Sequence, residues 1–138
     1  MTTPLWVLLG FAMWTIVMVL QIGFHRWKSF FAGTVPKGGF PSDVPPEHGW
    51  YRRAMQAHRN CVENLVVYGA IVVVLTVRGL DTPLLDNLAL AVIAGRILQS
   101  LVHVFLEQTR QIVLVRFSFY FVQLASMIWM GVIAFQGV

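Results

Sequence analysis

Charged and polar residues are concentrated between residues 52 and 63 of a chain that is otherwise mostly apolar. This stretch, RRAMQAHRNCVE, has no Pro or Gly and many helix-forming residues, so it is predicted to belong to one continuous helix. On that helix Arg53, Gln56, Asn60 and Glu63 recur every three or four residues and share one face. Guanidinium groups bind carboxylates, and a carboxylate accepts hydrogen bonds from an ammonium group. The face therefore suits a small zwitterionic or polyanionic ligand, such as a peptide.

A second polar stripe lies on the third hydrophobic segment, where Arg96, Gln99, His103 and Glu107 recur every three or four residues. Arg96 is about 20 Å from the start of this segment, close to the middle of a bilayer. A charge at that depth must face protein or a ligand, so Arg96 either pairs with Glu63 of the neighbouring helix or contacts the ligand. Gln99 and His103 are interpreted as interhelical hydrogen-bonding groups or as support for the ligand. The two stripes are predicted to face each other.

A third polar group begins the fourth hydrophobic segment, where Arg116, Tyr120 and Gln123 share one face. A guanidinium beside a thiol favours the thiolate, which is the nucleophilic form. Arg116 is therefore a candidate for activating a thiol substrate, while an apolar co-substrate would arrive through the lipid. Arg59 and Glu63 are four residues apart, and this pair is also interpretable as a structural ion pair on one helix.

The elements that must position these groups are predicted to be four membrane-spanning helices. Hydrophobic residues make up 57% of the 138 residues and charged residues 12%, which is outside the usual composition of soluble globular proteins. A helix needs about 20 residues to cross the hydrocarbon. Apolar stretches of that order lie near residues 5–24, 58–77, 84–106 and 113–135. The chain is therefore predicted to be all-α, with residues 1–138 forming a single integral membrane four-helix bundle.

The connections between the spans predict how the chain is oriented. Residues 25–50 are predicted to be the one long loop, because the sequence KGGFPSDVPPEHGW cannot hold a long helix. Thr82 is predicted to cap the third helix, with Pro83 at its first position. Most Lys and Arg residues beside the spans lie on the side of the long loop. This bias predicts a cytosolic loop and places both termini on the non-cytosolic side.

Composition also argues against several other functions. The formal net charge of +4 comes from basic residues that accompany no nucleic-acid-recognition motif, so no nucleic acid partner is expected. A single cysteine, Cys61, excludes an internal disulfide and a cysteine-based metal site. The four histidines show no metal-ligand spacing, so no metal is expected.

Three segments resemble one family. The run AHRNCVEN after a PPE-containing loop, GRILQSLVH in the third span and RFSFY at the start of the fourth are similar to segments of the MAPEG superfamily of eicosanoid and glutathione metabolism, which includes the microsomal glutathione transferases. The resemblance covers essentially the whole chain. It implies a homotrimer of four-helix subunits that binds glutathione at subunit interfaces near the cytosolic face.

The resemblance also implies roles for individual residues. Asn60 and Glu63 match glutathione-contacting positions, Arg53 matches a basic position, and Arg116 matches the arginine that activates the glutathione thiol. Gln56 stands where catalytic members usually carry Arg. In the third helix, Gln99 and His103 stand where many members have His and Tyr. The glutathione-binding residues are thus predicted to be Arg53, Gln56, Asn60, Glu63 and Tyr120, with Arg116 as the catalytic residue and Arg59, Arg96, Gln99 and His103 in support.

Three functions follow as hypotheses. The leading one is a membrane-bound transferase or peroxidase that uses glutathione as co-substrate and acts on apolar electrophiles or lipid hydroperoxides. The second is a non-catalytic membrane protein of the same family that binds a lipid or a partner protein. The third is a structural membrane subunit with internal salt bridges. An oligomer is also expected on physical grounds, because a bundle this small cannot turn both polar stripes away from lipid, and the resemblance implies that this oligomer is a homotrimer.

Overall fold

The computed structural model describes residues 1–40 and 49–137. Within these residues the chain forms four α-helices and no β-strand. The helices are α1 (Thr3–Phe31), α2 (Trp50–Val77), α3 (Pro83–Phe105) and α4 (Arg110–Gln136). All four are long and apolar enough to cross a membrane, judged by length and composition. The predicted all-α, four-helix architecture is confirmed.

Local sequence explains where the helices begin and end. The Thr82 hydroxyl accepts a hydrogen bond from the backbone N–H of Leu85 at 3.3 Å, and Pro83 follows at the first helical position. This confirms the predicted cap of α3. Thr109 caps α4 in the same way, accepting from the N–H of Ile112 at 3.3 Å. α4 ends at Gly137, whose φ of 84° lies in the left-handed region that favours glycine.

Two of the predicted boundaries need correction. α1 continues through Phe31, so the first part of the predicted 25–50 loop is helical. The sequence HRWKSFF contains no Pro or Gly, and the helix stops only before Gly33, which has a φ of 69°. Residues 41–48 of the predicted loop lie outside the described residues. α3 ends at Phe105 and the next residue is extended, so Glu107 is not on the α3 stripe as predicted.

The contacts between helices determine which of them can share a site. α1 packs against α2 and α3, and α3 packs most closely against α4, whereas α1 and α4 do not touch in the described part of the chain. Phe11, Tyr68, Leu85 and Met130 contribute to the buried apolar core. The Tyr68 hydroxyl donates to the carbonyl of Pro4 at 3.1 Å, which satisfies a phenol buried among apolar groups. α2 and α4 touch less extensively than α3 and α4, and a cleft opens between them.

Gly95 allows the close approach of α3 and α4. A Cβ atom at this position would lie 2.9 Å from Cγ of Gln123 and 3.3 Å from the carbonyl oxygen of Phe119. A methyl group would clash with the Gln123 side chain and would be tight against the α4 backbone at Phe119. The absence of a side chain at Gly95 therefore fixes how near the two helices lie behind the cleft.

Candidate functional site

A pocket of about 240 Å³ lies between α2, α3 and α4 and is partly open to the outside. We call it the α2–α4 pocket. Six of its eight lining residues are polar or charged. Its lining residues come from three helices and are Asn60, Glu63, Asn64, Gln99, Val113, Arg116, Phe117 and Tyr120. Five of them were predicted as site residues from the sequence: Asn60, Glu63, Gln99, Arg116 and Tyr120.

The α2 wall of the pocket consists of Asn60, Glu63 and Asn64. Their spacing of three and four residues places them on one face of the helix. The Asn64 side-chain N–H donates to the backbone carbonyl of Asn60 at 2.8 Å, so Asn64 is held against its own helix. Glu63 is exposed in the single subunit. This wall offers one carboxylate and two amides to a ligand.

The α4 wall is cationic and aromatic. Arg116 is half-buried, and its Nη1 is buried without a hydrogen-bond partner. Phe117 and Tyr120 flank the same face, with ring centroids 6.4 Å apart. A buried N–H donor without a partner is costly, because it has lost its water without gaining an acceptor. Arg116 therefore adds to the pocket lining a charged side chain with one unused donor, in the same pocket as Glu63.

A glutamine pair forms the back of the pocket. Gln123 is fully buried, and its Nε2 donates to Oε1 of Gln99 at 2.9 Å and to the carbonyl of Phe119 at 3.0 Å. Gln99 accepts this bond through its side-chain oxygen, and its side chain also lines the pocket. The pair holds α3 to α4 where Gly95 brings them together.

Other predicted site residues form a separate cluster at the beginning of α2 and the end of α3. His103 Nε2 lies 3.2 Å from Oε1 of Gln56 and 3.4 Å from Nε2 of Gln108. Arg53 Nε donates to the carbonyl of Val104 at 3.3 Å. The structure therefore joins the predicted α2 and α3 stripes here, but it does not bring Arg53, Gln56 or His103 into the lining of the α2–α4 pocket.

The predicted pairing of Arg96 with Glu63 is not formed. Arg96 is only 1% exposed, and its Nε and Nη2 have no hydrogen-bond partner. Its Cζ lies 5.6 Å from the ring centroid of Phe11. Arg96 therefore lies in the bundle interior, over an aromatic face of α1, while Glu63 is exposed and lines the α2–α4 pocket.

The alternative ion pair between Arg59 and Glu63 is also not formed in the described part of the chain, although both side chains are exposed. Arg59 does not line the pocket. Cys61 is buried, with its Sγ 3.5 Å from the hydroxyl of Ser100. Arg59 and Cys61 adjoin Asn60 in the sequence, so they project on either side of the pocket face of α2.

The electrostatic character of the region is positive. Arg53 lies at the end of α3, where its Nε bonds the Val104 carbonyl, and Arg116 lies in the pocket lining. Among the residues that the structure describes, Glu63 is the one carboxylate that lines the pocket. Such a set of charges can hold a ligand with more negative than positive groups and can stabilise an anion beside Arg116. Among the described residues, no group of three His, Cys, Asp or Glu side chains is placed to hold a metal ion.

Sequence reasoning missed three lining residues. Asn64 directly follows Glu63 and lies four residues after Asn60, so its helical position alone could have identified it. Val113 and Phe117 are apolar, and nothing in their residue types distinguishes them from lipid-facing positions on α4. Their place in the pocket follows only from the rotation of α4 about its own axis.

The sequence model of the MAPEG family matches residues 4–136, which is nearly the whole chain and includes all eight lining residues. No curated protein and no solved structure matches the chain. The family match and the four helices able to span a bilayer together make the chain an integral, multi-pass membrane protein.

Proposed function

The chain belongs to the MAPEG family, and from this premise we propose that it is a membrane-bound, glutathione-dependent transferase or peroxidase acting on apolar electrophiles or lipid hydroperoxides. The observation that carries the proposal is the buried, unpartnered Nη1 of Arg116 in a pocket that Glu63 and Asn60 also line. A guanidinium in this position can stabilise a thiolate, which is the nucleophilic form of a thiol.

The chemistry of the pocket fits a thiol-containing peptide. Glutathione has two carboxylates, one ammonium group and one thiol. In the proposed binding mode Glu63 accepts from the ammonium, the amides of Asn60, Asn64 and Gln99 bond the peptide groups, and Arg116 faces the sulfur. Tyr120 adds a hydroxyl beside Arg116.

In the proposed binding mode, the cluster at the beginning of α2 binds a carboxylate at one end of glutathione. Arg53 uses only its Nε, on the Val104 carbonyl, so its two terminal nitrogens are available for a carboxylate. Gln56 is bonded to His103 and holds that cluster together. In this role Gln56 positions neighbouring groups and does not supply the charge that an arginine would.

The proposed reaction begins with attack by the glutathione thiolate. With an electrophile, a carbon–sulfur bond forms and the leaving group departs with its electron pair. With a hydroperoxide, the sulfur takes the terminal oxygen, the O–O bond breaks and the alkoxide is protonated to an alcohol. A second glutathione then attacks the resulting sulfenic acid, giving the disulfide and water. In both reactions Arg116 stabilises the thiolate before attack.

Purified protein tests this proposal directly. We expect glutathione-dependent turnover of a chlorinated aromatic acceptor, of a lipid hydroperoxide, or of both. Absence of turnover with both substrates, in a sample that stays folded and is stabilised by glutathione, would contradict the proposed catalysis.

A non-catalytic, lipid- or partner-binding member is the second candidate. The uncharged Gln56, bonded to His103, favours it, because the pocket region then has one fewer cation for a glutathione carboxylate. This candidate is distinguished by lipid binding without the ultraviolet absorbance of a thiolate when glutathione is added.

We also propose that the working protein is a homotrimer, with the α2–α4 pocket completed by a neighbouring subunit. At about 240 Å³ and partly open, the pocket is smaller than common ligand sites of about 300–1,000 Å³. Glu63 and Arg59 are exposed on a helix that crosses the membrane, and a lipid-exposed charge costs about 2.5–3.5 kcal/mol on insertion scales. A neighbouring subunit would cover both. Mass measurement in detergent tests this, and a stable monomer would contradict it.

A further inference from the structure

The C-terminal end of α4 is attached to α2 by the side chain of Arg78. Arg78 is the C-cap residue of α2, and its Nη1 donates hydrogen bonds to the carbonyls of Ala134 and Phe135, the latter at 2.9 Å. Both carbonyls are among the last four of α4, which have no partner within the helix. A basic side chain at a helix C-terminus satisfies such carbonyls and interacts favourably with the helix dipole. We call this contact the Arg78 clasp.

Gly137 leaves room for the clasp. It ends α4 with a φ of 84°, and its N–H donates to the carbonyl of Ile133 at 2.7 Å. A Cβ atom at this position would lie 2.6 Å from Nη2 of Arg78 and 3.3 Å from its Cζ. Alanine at position 137 would therefore displace the Arg78 guanidinium, in addition to straining a left-handed backbone.

The clasp connects two helices that are not tightly packed at this height. A groove of about 460 Å³ lies here between α2 and α4, and Val74, Arg78 and Gly131 are among its lining residues. In the described part of the chain, the hydrogen bonds between residues 53–78 and α4 are those of Arg78. At the pocket, Nη1 of Arg116 has no partner in α2. Within this range α2 is thus bonded to α4 at the clasp and not at the pocket.

α4 has a second attachment, to α3, between the clasp and the pocket. The bond between Gln123 and Gln99 and the close approach at Gly95 hold the two helices together. Gln123 is seven helical steps from Arg116 and eleven from Ala134, or about 10 Å and about 16 Å along the axis. Because a helix moves as a nearly rigid body, two attachments fix its tilt. If one end of α4 moves away from α2, the other end moves towards it.

We propose that Arg78 is a positioning residue for the α2–α4 pocket: the clasp fixes the tilt of α4 and thereby the separation of Arg116 from the α2 wall. This inference rests on the proposed function in taking the pocket as the ligand site. Arg78 is fifteen helical steps from Glu63, or about 22 Å, so it acts through α4 and not by touching a ligand there. Loss of the clasp moves the C-terminal end of α4 away from α2 and narrows the pocket.

Distances between spin labels on the intact protein test the clasp without any ligand. Labels at Arg59→Cys and Arg110→Cys report the separation of α2 from α4 at the pocket end, and neither residue lines the pocket. Labels at Val73→Cys and Val132→Cys, which replace exposed residues, report it at the clasp end. Both pairs are combined with Cys61→Ser, because Cys61 is the single native cysteine. Labelled chains are diluted with unlabelled chains, so that distances within one subunit dominate.

We expect Arg78→Gln to lengthen the distance at the clasp end and to shorten it at the pocket end. Gly137→Ala should have the same effect, because its methyl group displaces the guanidinium. Gly79→Ala is the matched control: Gly79 has a φ of 66°, but no atom lies within 4 Å of a Cβ there, so alanine strains the backbone without meeting Arg78. Arg78→Lys should keep the wild-type distances, because an ammonium still donates to the α4 carbonyls.

The ultraviolet absorbance of the glutathione thiolate is a second readout. Arg78→Gln should lower it severalfold and Arg78→Lys should retain it, because a small misplacement of Arg116 weakens its contact with the sulfur. The proposal is overturned if the clasp end separates while the pocket-end distance stays that of the wild type, since α4 then frays without tilting. It is also overturned if Arg78→Gln changes neither distance. If even the wild type gives no thiolate signal, the proposed function fails, and the distances still decide the role of Arg78.

Discussion

Gln123 of α4 donates a hydrogen bond of 2.9 Å to Gln99 of α3, and both side chains are buried behind the α2–α4 pocket. This bond connects α3, which carries one of the pocket's amides, to α4, which carries its arginine. Buried polar pairs of this kind fix the relative rotation of membrane helices, because an unpaired partner is costly in hydrocarbon.

The first prediction is that Gln99 and Gln123 are energetically coupled. Gln99→Leu and Gln123→Leu should each lower the thermal unfolding temperature. The double variant should lose less stability than the sum of the losses in the two single variants. Residues in direct contact typically show a coupling of about 0.5–3 kcal/mol. The measurement is a double-mutant cycle on detergent-solubilised protein. Strictly additive losses would show that the bond contributes nothing to stability.

The second prediction concerns Gly95. A methyl group there would meet Gln123 Cγ at 2.9 Å, so Gly95→Ala should force α3 away from α4 and destabilise the protein by about 1–3 kcal/mol. Gly10→Ala is the matched control, because no atom lies within 4 Å of a Cβ at that helical position. Alanine should leave stability there unchanged or improve it, since glycine is a poor helix former. Equal effects of the two substitutions would contradict the close approach.

The architecture could be predicted from the sequence because it depends on averages along the chain. Span length and hydropathy determine the four helices, and the Thr82 cap depends on residues adjacent to it. The polar stripes on α2 and α3 could also be recognised in the sequence, because their residues recur at intervals of three and four. The end of α1 was missed because HRWKSFF is polar and aromatic but still compatible with helix.

The division of the α2 stripe could not be predicted. Arg53 and Glu63 are ten residues apart, or about 15 Å along the helix. Over that length the neighbouring helix changes, so Gln56 meets His103 of α3 while Glu63 opens into the pocket beside α4. Spacing shows which residues share a face but not which helix lies opposite at each height. The same limit explains the incorrect pairing of Arg96 with Glu63.

The third prediction follows from the environment of Arg96. Because its Nε and Nη2 have no partner and it lies over Phe11, replacing it with an apolar side chain of similar length removes a buried, unpaired charge. Such replacements are often neutral or stabilising. Arg96→Met should therefore keep the oligomeric mass and a thermal unfolding temperature at or above that of the wild type. A marked fall in that temperature would mean that Arg96 has an acceptor in the assembled protein, such as Glu63.

The fourth prediction separates the pocket face of α2 from its outer face. Glu63 lines the pocket and Arg59 does not, although both are exposed charges four residues apart. Glu63→Gln should reduce the thermal stabilisation caused by glutathione, because it removes the carboxylate proposed to bind the ammonium group. Arg59→Gln is the control and should preserve that stabilisation. If Arg59→Gln reduced the stabilisation and Glu63→Gln preserved it, glutathione would bind to the other face of α2.

The central claim is that Arg116 stabilises the glutathione thiolate, and the most direct test is the ultraviolet absorbance of the thiolate on adding glutathione to Arg116→Ala. Arg110→Ala is the matched control, because Arg110 is an exposed residue of α4 that does not line the pocket. We expect the thiolate signal in the wild type and Arg110→Ala. In Arg116→Ala it should be lost, with glutathione binding still measurable and kcat lowered about 100-fold or more. Full thiolate absorbance and turnover in a folded Arg116→Ala variant would contradict the claim.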